Sequence, residues 1–175
     1  MSAAAEFSRL VRLDELGAAP RRLALVASEA ERAALAARFG LPAIASLAAD
    51  VALTRSGAAV ALNGDLRADV TQSCVATGVP IDTHVEEPLV LRFEPEAASG
   101  DEVELDQQAL DVLGYEGNAI DVGEAVAQSL LLALDPFPRC ASADAALREA
   151  GVLGEEEAEA ANVSPLAAAL KAKFK

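Results

Sequence analysis

Apolar and polar residues alternate along four segments between residues 7 and 93, and this period of two predicts β-strands. The predicted strands span residues 7–13, 21–27, 66–74 and 81–93. Phe7, Val11 and Leu13 share one face of the first strand, so this face is predicted to enter the core. In the last strand Pro88 falls in the outward register, which favours an edge strand because proline lacks a hydrogen-bond donor.

Dipeptides that contain glycine interrupt the later strands. Ser56-Gly57 and Asn63-Gly64 are typical of turns or bulges, and residues 77–80 predict the turn before the return strand. Around Asn63-Gly64 two alternatives stay open: a tight hairpin, or one long strand with a bulge. Residues 94–104 are acidic and are predicted to form a loop.

A capping signature begins the first predicted helix. Ser28 and Glu31 have the spacing of a capping box, in which each side chain binds the backbone N–H of the other residue. The Ala-rich helix that follows is predicted to run to about Phe39, because Gly40 and Pro42 then end it.

The most apolar predicted helix covers residues 122–134. Asp121 precedes it as an N-cap with Glu124 three residues later, and Pro136 and Pro138 end it. The helix carries several leucines in addition to the valines of its first turns, so it is apolar on most of its sides. We therefore expect it at the centre of the core.

Together these elements predict an α+β fold in which an antiparallel β-sheet is packed by the apolar helix. We expect residues 1–140 to form a single domain and residues 141–175 to form an acidic linker and a short C-terminal helix. A further Ala-rich helix is predicted at about 143–150, and Ser164-Pro165 is typical of a helix start. Because this last part has little to pack against, we predict a mobile helical C-terminal tail.

The large apolar side chains of the last predicted helix lie four residues apart. Leu166, Leu170 and Phe174 therefore line one narrow stripe, although an isolated helix of about ten residues is marginal in water. Two alternatives follow: the stripe docks on its own domain, or it is a candidate partner-binding peptide that becomes ordered in a groove of another molecule.

Charge adds a constraint on the partners. The 175 residues are 53% hydrophobic and 3% aromatic, which is enough for one ordinary core, and the formal net charge is −14. A generally basic nucleic-acid-binding protein is therefore excluded. The imbalance is concentrated in residues 93–175, which hold five basic residues against seventeen acidic ones.

Residues 1–92 are nearly neutral, with nine arginines against eleven carboxylates. Four of these arginines lie in the first two predicted strands: Arg9, Arg12, Arg21 and Arg22. If the two strands pair, the four side chains share one face and form a candidate RNA contact. The alternative is that the arginines are scattered over the surface.

The sequence also bears on localisation. No apolar run approaches the roughly 18 residues that a membrane span requires. The first residues lack the basic and apolar segments of a signal peptide, and two cysteines are too few for a disulfide scaffold. We therefore expect a soluble cytoplasmic protein without a membrane partner.

Residues suited to catalysis are few. His84, the only histidine, is predicted on the outer face of a strand with Asp82 and Glu86, which favours a solvated residue over a catalytic base. The sequence has no phosphate-binding loop, and its three lysines lie at 171, 173 and 175. We predict no enzymatic activity, no cofactor and no catalytic residue.

Four stretches stand out by their order along the chain. They are a strand that ends in the turn from Cys74 to Gly78, a return strand that ends at residues 89–93, a segment from Asp121 to Pro136 and Pro138, and the closing residues 164–171. In this order and spacing they resemble the YceD-like family, also called large ribosomal RNA subunit accumulation proteins.

The resemblance implies a bacterial cytoplasmic protein that is needed for accumulation of large-subunit (23S) ribosomal RNA and has no known enzymatic activity. We expect it to act by binding either a ribosomal precursor, through its large-subunit RNA, or a basic ribosomal or assembly protein. The protein partner is favoured because a net charge of −14 repels phosphate.

The resemblance also implies cysteines that suggest a metal site, with a Cys-x-x-Cys at the strand turn and further cysteines after the long helix. Here Thr77 stands in place of the second cysteine, and no cysteine follows Cys140. Cys74, Cys140 and His84 would supply at most three of the four ligands of a structural zinc site. We predict no metal; the alternative function is a degenerate metal-binding or redox domain that uses Cys74 and Cys140.

Overall fold

A computed structural model describes residues 6–17, 19–96 and 111–153. The described residues form seven strands, three α-helices and one 3₁₀ turn at Leu13–Glu15. In chain order the strands and helices are β1 (Leu10–Arg12), β2 (Arg21–Val26), α1 (Glu29–Phe39), β3 (Ala43–Ser56), β4 (Ala59–Ser73), β5 (Pro80–Pro95), β6 (Asp111–Tyr115), β7 (Ala119–Asp121), α2 (Val122–Ala133) and α3 (Ala143–Glu149).

The main sheet has the strand order β2-β3-β4-β5-β6, and the pairs β2–β3, β3–β4 and β4–β5 are antiparallel. β6 joins β5 in parallel from Leu91 onward, and residues 97–110 between these two strands lie outside the described residues. A second, two-stranded sheet pairs β1 with β7. The predicted α+β fold, with an antiparallel sheet packed by an apolar helix, is confirmed.

The region of Asn63-Gly64 belongs to one long strand, so the hairpin alternative is wrong. β4 runs through both residues, and the reversal from β3 occurs earlier, at Gly57, whose φ is +64°. Gly64 is required for a different reason: a Cβ atom there would lie 2.2 Å from the carbonyl oxygen of Asp50. Glycine therefore permits β4 to approach the backbone of β3 closely.

The strand pairing around Pro88 agrees with its predicted edge position. Pro88 pairs with Asp65 of β4, and β6 pairs with β5 only from Leu91 onward. Within the part of the chain that the structure describes, β5 has no neighbour on the side away from β4 at Pro88. The missing N–H of proline consequently costs no hydrogen bond of the sheet.

The capping box of α1 is confirmed. The Ser28 hydroxyl accepts from the N–H of Glu31, and the Glu31 carboxylate accepts from the N–H of Ser28 at 2.7 Å. At the other end Gly40 takes a left-handed conformation, with φ of 66°, and its N–H binds the last carbonyls of the helix. Local sequence thus fixes both ends of this helix.

The start of α2 is also as predicted, since Asp121 accepts a hydrogen bond from the N–H of Glu124 at 3.1 Å. Val126 and Leu130 are fully buried, whereas Leu131 is 45% exposed and Leu132 is 79% exposed. α2 thus enters the core as expected, but it buries one side only, and Leu131 and Leu132 face away from the core.

The hydrophobic core lies between the main sheet and the two longer helices. α1 packs on β3, and α2 packs on β4, β5 and β1. Phe7, Val11 and Leu13 are buried in this core as predicted, although β1 is shorter than the predicted strand. We call the face of the main sheet that lies against the helices the core face, and the opposite one the outer face.

The C-terminal part is described only in its first segment. α3 confirms the helix predicted near residues 143–150. The tail residues Leu166, Leu170 and Phe174 lie outside the described residues, and a domain boundary at residue 140 stays a prediction. Among the described helices, none is long and apolar enough to cross a membrane.

Candidate interaction surfaces

The first two strands do not pair, so the structural premise of the predicted RNA contact is wrong. β1 pairs with β7, whereas β2 pairs with β3. Asp121 holds β1 in this place: its carboxylate accepts from the N–H of Arg9 at 2.8 Å and from the Ser8 hydroxyl at 2.6 Å. A Cβ atom on Gly123 would lie 2.4 Å from the carbonyl oxygen of Phe7. The chain before β1 therefore crosses the first turn of α2, at a distance that only glycine permits.

Three of the four candidate arginines form ion pairs within the protein. Arg9 binds both carboxylate oxygens of Glu31, at 2.6 and 3.1 Å. Arg12 pairs with Asp14 at 2.7 Å, and Arg21 pairs with Glu15 at 2.5 Å. Arg22 points to the outer face and has no ion pair among the described residues. The structure thus places the four arginines apart, and their contact with RNA stays a prediction.

The Arg9–Glu31 pair joins the segment before β1 to α1. Hydrogen bonds from Arg9, followed by the backbone N–H of Ser28, lower the pKa of Glu31 from its ordinary value of 4.5 to about 2. The guanidinium of Arg9 also lies 4.6 Å from the centre of the Phe7 ring. These contacts give Arg9 a structural role.

Further arginines bind internal groups that sequence reasoning missed. Arg38 of α1 donates to Glu124 of α2 at 2.6 and 2.9 Å and to Glu6 at 3.0 Å. Arg55 donates to the carbonyl of Leu13 at 2.6 Å. Because these partners are distant in sequence, no local pattern indicated them. Much of the positive charge of the described part consequently lies against carboxylates or carbonyls of the same chain.

The turn between β4 and β5 brings family-motif positions together. Gly78, with φ of +71°, donates its N–H to the carbonyl of Cys74 at 2.8 Å, and Cys74 donates to Val79 at 2.9 Å. The N–H of Val75 binds the carbonyl of Pro138 at 2.9 Å, so the turn is attached to the segment that leaves α2. Positions that are far apart in sequence thus form one structural unit.

The same unit is fixed near Pro136, because the buried Gln72 of β4 donates to the carbonyl of Asp135 at 2.9 Å. Asp121, by contrast, lies at the opposite end of α2, where it caps the helix and binds β1. Backbone and capping contacts therefore account for the motif positions that the structure describes.

Both cysteines are free thiols, and a hydrogen bond from the backbone N–H of Cys140 to the sulfur of Cys74 joins them. The N–H of Cys140 donates to Sγ of the buried Cys74 at 3.3 Å, and the hydroxyls of Thr77 and Ser142 each lie 3.3 Å from Sγ of Cys140. The hydrogen bond from Cys140, together with that from Thr77, lowers the pKa of Cys74 below its usual range. Within the described ranges, no three histidine, cysteine or acidic side chains converge as metal ligands.

His84 is on the outer face, as predicted. Its Nδ1 atom lies 2.7 Å from Asp69 of β4, and its Nε2 atom lies 3.5 Å from Glu86. The hydrogen bond to Asp69, followed by that to Glu86, raises the pKa of His84. The sequence indicated Glu86 but not Asp69, because a partner on the neighbouring strand requires the strand register; the predicted neighbour Asp82 binds Thr71 instead.

The outer face of the main sheet is uncovered by any described element. Its side chains alternate with the buried residues of the same strands, as the period of two predicts. Alanines and charged residues dominate it, and the valines at its margins are exposed, Val26 to 68% and Val112 to 55%. This open face offers the described part a surface for contact with another molecule.

Comparison with models of protein families matches residues 62–172 to the family described as large ribosomal RNA subunit accumulation protein YceD. The matched range includes β5, the turn at Cys74, α2 and most of the tail, which are the parts that carry the resemblance in the sequence. No curated protein and no solved structure matches the chain.

Proposed function

The chain belongs to the YceD family, whose description gives a role in accumulation of large ribosomal subunit RNA, and we propose that it fills this role by binding rather than by catalysis. In this proposal a cytoplasmic binding factor protects or assembles a precursor that contains 23S ribosomal RNA. Support for a binding role comes from the uncovered outer face.

The proposed partner is a basic ribosomal or assembly protein. The observation that carries this choice is the internal pairing of Arg9, Arg12 and Arg21 with carboxylates. Contact with RNA needs clustered positive charge that is free to replace the counterions of phosphates. With a net charge of −14, the protein is instead electrostatically complementary to a partner rich in lysine and arginine.

Capture from cells tests the proposal. Tagged full-length protein is recovered at salt concentrations from about 50 to about 300 mM, with and without ribonuclease, and both protein and RNA are analysed. We expect a basic protein that is retained after ribonuclease treatment and released as salt rises. Retention of large-subunit RNA with no protein that survives ribonuclease would contradict the proposal.

The predicted tail stripe of Leu166, Leu170 and Phe174 is proposed as an additional partner contact. Deletion of residues 160–175 is then expected to leave the melting temperature nearly unchanged and to abolish capture. If the deletion lowers the melting temperature by several degrees, the stripe belongs to the core and this contact is excluded.

The contact between Cys140 and Cys74 favours one alternative function, a degenerate metal-binding or redox domain. Quantification of zinc in the purified protein, with Cys74→Ser as the matched variant, separates the two functions. The binding proposal expects no stoichiometric zinc and an intact fold in the variant. Zinc that survives dialysis against a chelator, with unfolding when it is removed, would support the alternative.

A further inference from the structure

A shallow trough crosses the outer face of the main sheet from β2 to β5. Its larger part has a volume of about 650 Å³ and lies over β2, β3 and β4. Its smaller part, of about 340 Å³, lies over β4 and β5 and shares Asp65 with the larger one. The outward-facing residues of the larger part are Arg22, Ala24, Asp50, Ala52, Asn63 and Asp65.

Strand register explains the shape of the trough. Ala24, Asp50, Asp65 and Pro88 form one row across the four strands, and Ala52 lies in the next row. The short side chains of the alanines and the proline form the floor of the trough, and longer side chains surround it. Because neighbouring strands are ~4.8 Å apart, four strands span about 14 Å, which is the length of about five extended residues.

Carboxylates outnumber arginines among the outward-facing side chains around the trough. They are Asp50, Asp65 and Glu86, against Arg22 and Arg67. The one ion pair between these groups, Arg67 with Asp50, is long at 3.7 Å, and both side chains are more than half exposed. Asp65 forms no ion pair within the described part of the chain, and Glu86 lies 3.5 Å from Nε2 of His84. The ion pairs of the trough are thus longer than those of Arg9 and Arg38 on the helix side, which are 2.6 Å.

We infer that this trough binds an extended, lysine- or arginine-rich segment of a protein partner. This inference rests on the proposed function and names the surface that performs it. The charged ends of such side chains pair with the carboxylates of the walls, while their methylene stems lie on Ala24, Ala52 and Pro88. The same carboxylates repel the phosphates of RNA.

Titration with a synthetic peptide of about ten residues, alternating lysine and alanine, tests the charge of the trough in full-length protein. The trough variant combines Asp50→Asn, Asp65→Asn and Glu86→Gln, three carboxylates that face outward around the trough. The control variant combines Glu29→Gln, Glu116→Gln and Glu149→Gln, which remove the same charge from exposed positions elsewhere.

We expect the trough variant to weaken peptide binding about tenfold, since each exposed ion pair contributes a few-fold effect. The control variant is expected to change binding less than about twofold, because distant exposed charges are screened. Equal weakening by both variants would show attraction by net charge alone and would overturn the inference.

A second pair of variants tests the shape without a change of charge. Ala24→Tyr fills the trough, whereas Ala61→Tyr adds the same side chain on the outer face at a position that does not line it. Tyrosine is well tolerated in strands, so both variants are expected to fold. Loss of peptide binding only in Ala24→Tyr supports the inference, and unchanged binding in both contradicts it.

The class of ligand is tested with single-stranded RNA of about ten nucleotides as a second probe. We expect no saturable binding to the wild-type protein. RNA binding that Ala24→Tyr abolishes would overturn the inference in favour of an RNA-binding trough.

Capture from cells with the same variants separates the two proposals. If the wild-type protein captures a basic protein and the trough variants capture it equally, the trough is not the binding surface, while the proposed function stands. If the wild-type protein captures none, the proposed function fails, whatever the peptide titration shows.

Discussion

The two faces of the main sheet carry residues of the same strands but differ in almost every physical property. On the core face, Leu62, Leu66 and Leu89 are fully covered by neighbours. On the outer face, the residues between them are alanines, carboxylates and a few arginines that no described element covers. A strand directs alternate side chains to opposite sides, so the core face carries the buried side chains that stabilise the fold, while the outer face is the surface proposed for recognition.

Charge follows the same division. At the rim of the core, ion pairs join separate elements: Arg9 links the segment before β1 to Glu31 of α1, and Arg38 links α1 to Glu124 of α2. On the outer face Asp65 has no ion pair among the described residues, and the pairs of Asp50 with Arg67 and of Glu86 with His84 are long, at 3.7 and 3.5 Å. Carboxylates near the helices therefore hold elements together, whereas those of the trough are the ones proposed to bind a partner.

The largest loss of stability is expected from a substitution that creates a cavity in the core beside α2. Leu130→Ala removes a fully buried side chain of α2 and should lower the free energy of unfolding by about 2–5 kcal/mol, as measured by urea denaturation. On the outer face Val26→Ala, at a position that is 68% exposed, should change it by about 0.5 kcal/mol or less. Similar losses in both variants would refute the division between the faces.

A smaller loss of stability is expected from a substitution at the point where the segment before β1 crosses α2. Gly123→Ala places a Cβ atom 2.4 Å from the carbonyl oxygen of Phe7, so backbone must move, at a cost of about 1–3 kcal/mol. Alanine is otherwise the better helix former by up to about 1 kcal/mol. A net decrease in the free energy of unfolding confirms that the crossing is tight, whereas a net increase would show that it is not.

The sequence predicted those features that depend on neighbours along the chain. The capping box of Ser28 and Glu31 and the N-cap Asp121 involve residues three positions apart, so local spacing identifies them. The alternation of Leu66, Ala68 and Val70 likewise follows from the geometry of a single strand.

Which distant segments pair with each other could not be predicted from neighbours along the chain. β1 pairs with β7 because Asp121 and Gly123 fit the segment before β1, and neither residue signals that contact in the sequence. Asn63-Gly64 suggested a turn or a bulge, although Gly64 serves a close approach of two strands. The trough depends on the register of four strands, which single-strand patterns do not contain.

The Arg9–Glu31 pair should make stability depend on pH. The pKa of Glu31 falls from 4.5 to about 2 on folding, so its contribution is fully present above about pH 4.5 and is lost as pH falls toward 2. Glu31→Gln should lower the free energy of unfolding at pH 7 by about 1 kcal/mol and flatten its pH dependence in that window. Parallel pH curves for variant and wild type would contradict this role.

The smallest expected effect concerns His84 on the outer face. Its hydrogen bond to Asp69 raises its pKa, so it stays protonated to higher pH and offsets one negative charge. Loss of that proton leaves the outer face more acidic, and the lysine–alanine peptide should bind slightly more tightly, less than about threefold, as pH rises through the raised pKa of His84. His84→Gln should remove the dependence; its persistence in that variant would assign the effect to another group.

Chemical-shift mapping tests the division between the faces most directly. The isotope-labelled full-length protein is titrated with the lysine–alanine peptide, and backbone amide shifts are followed. We expect the largest shifts on residues 22–24, 50–52, 63–65 and 86–88, with little change in α1 and α2. Shifts centred on α1, α2 or the turn at Cys74 would contradict that division.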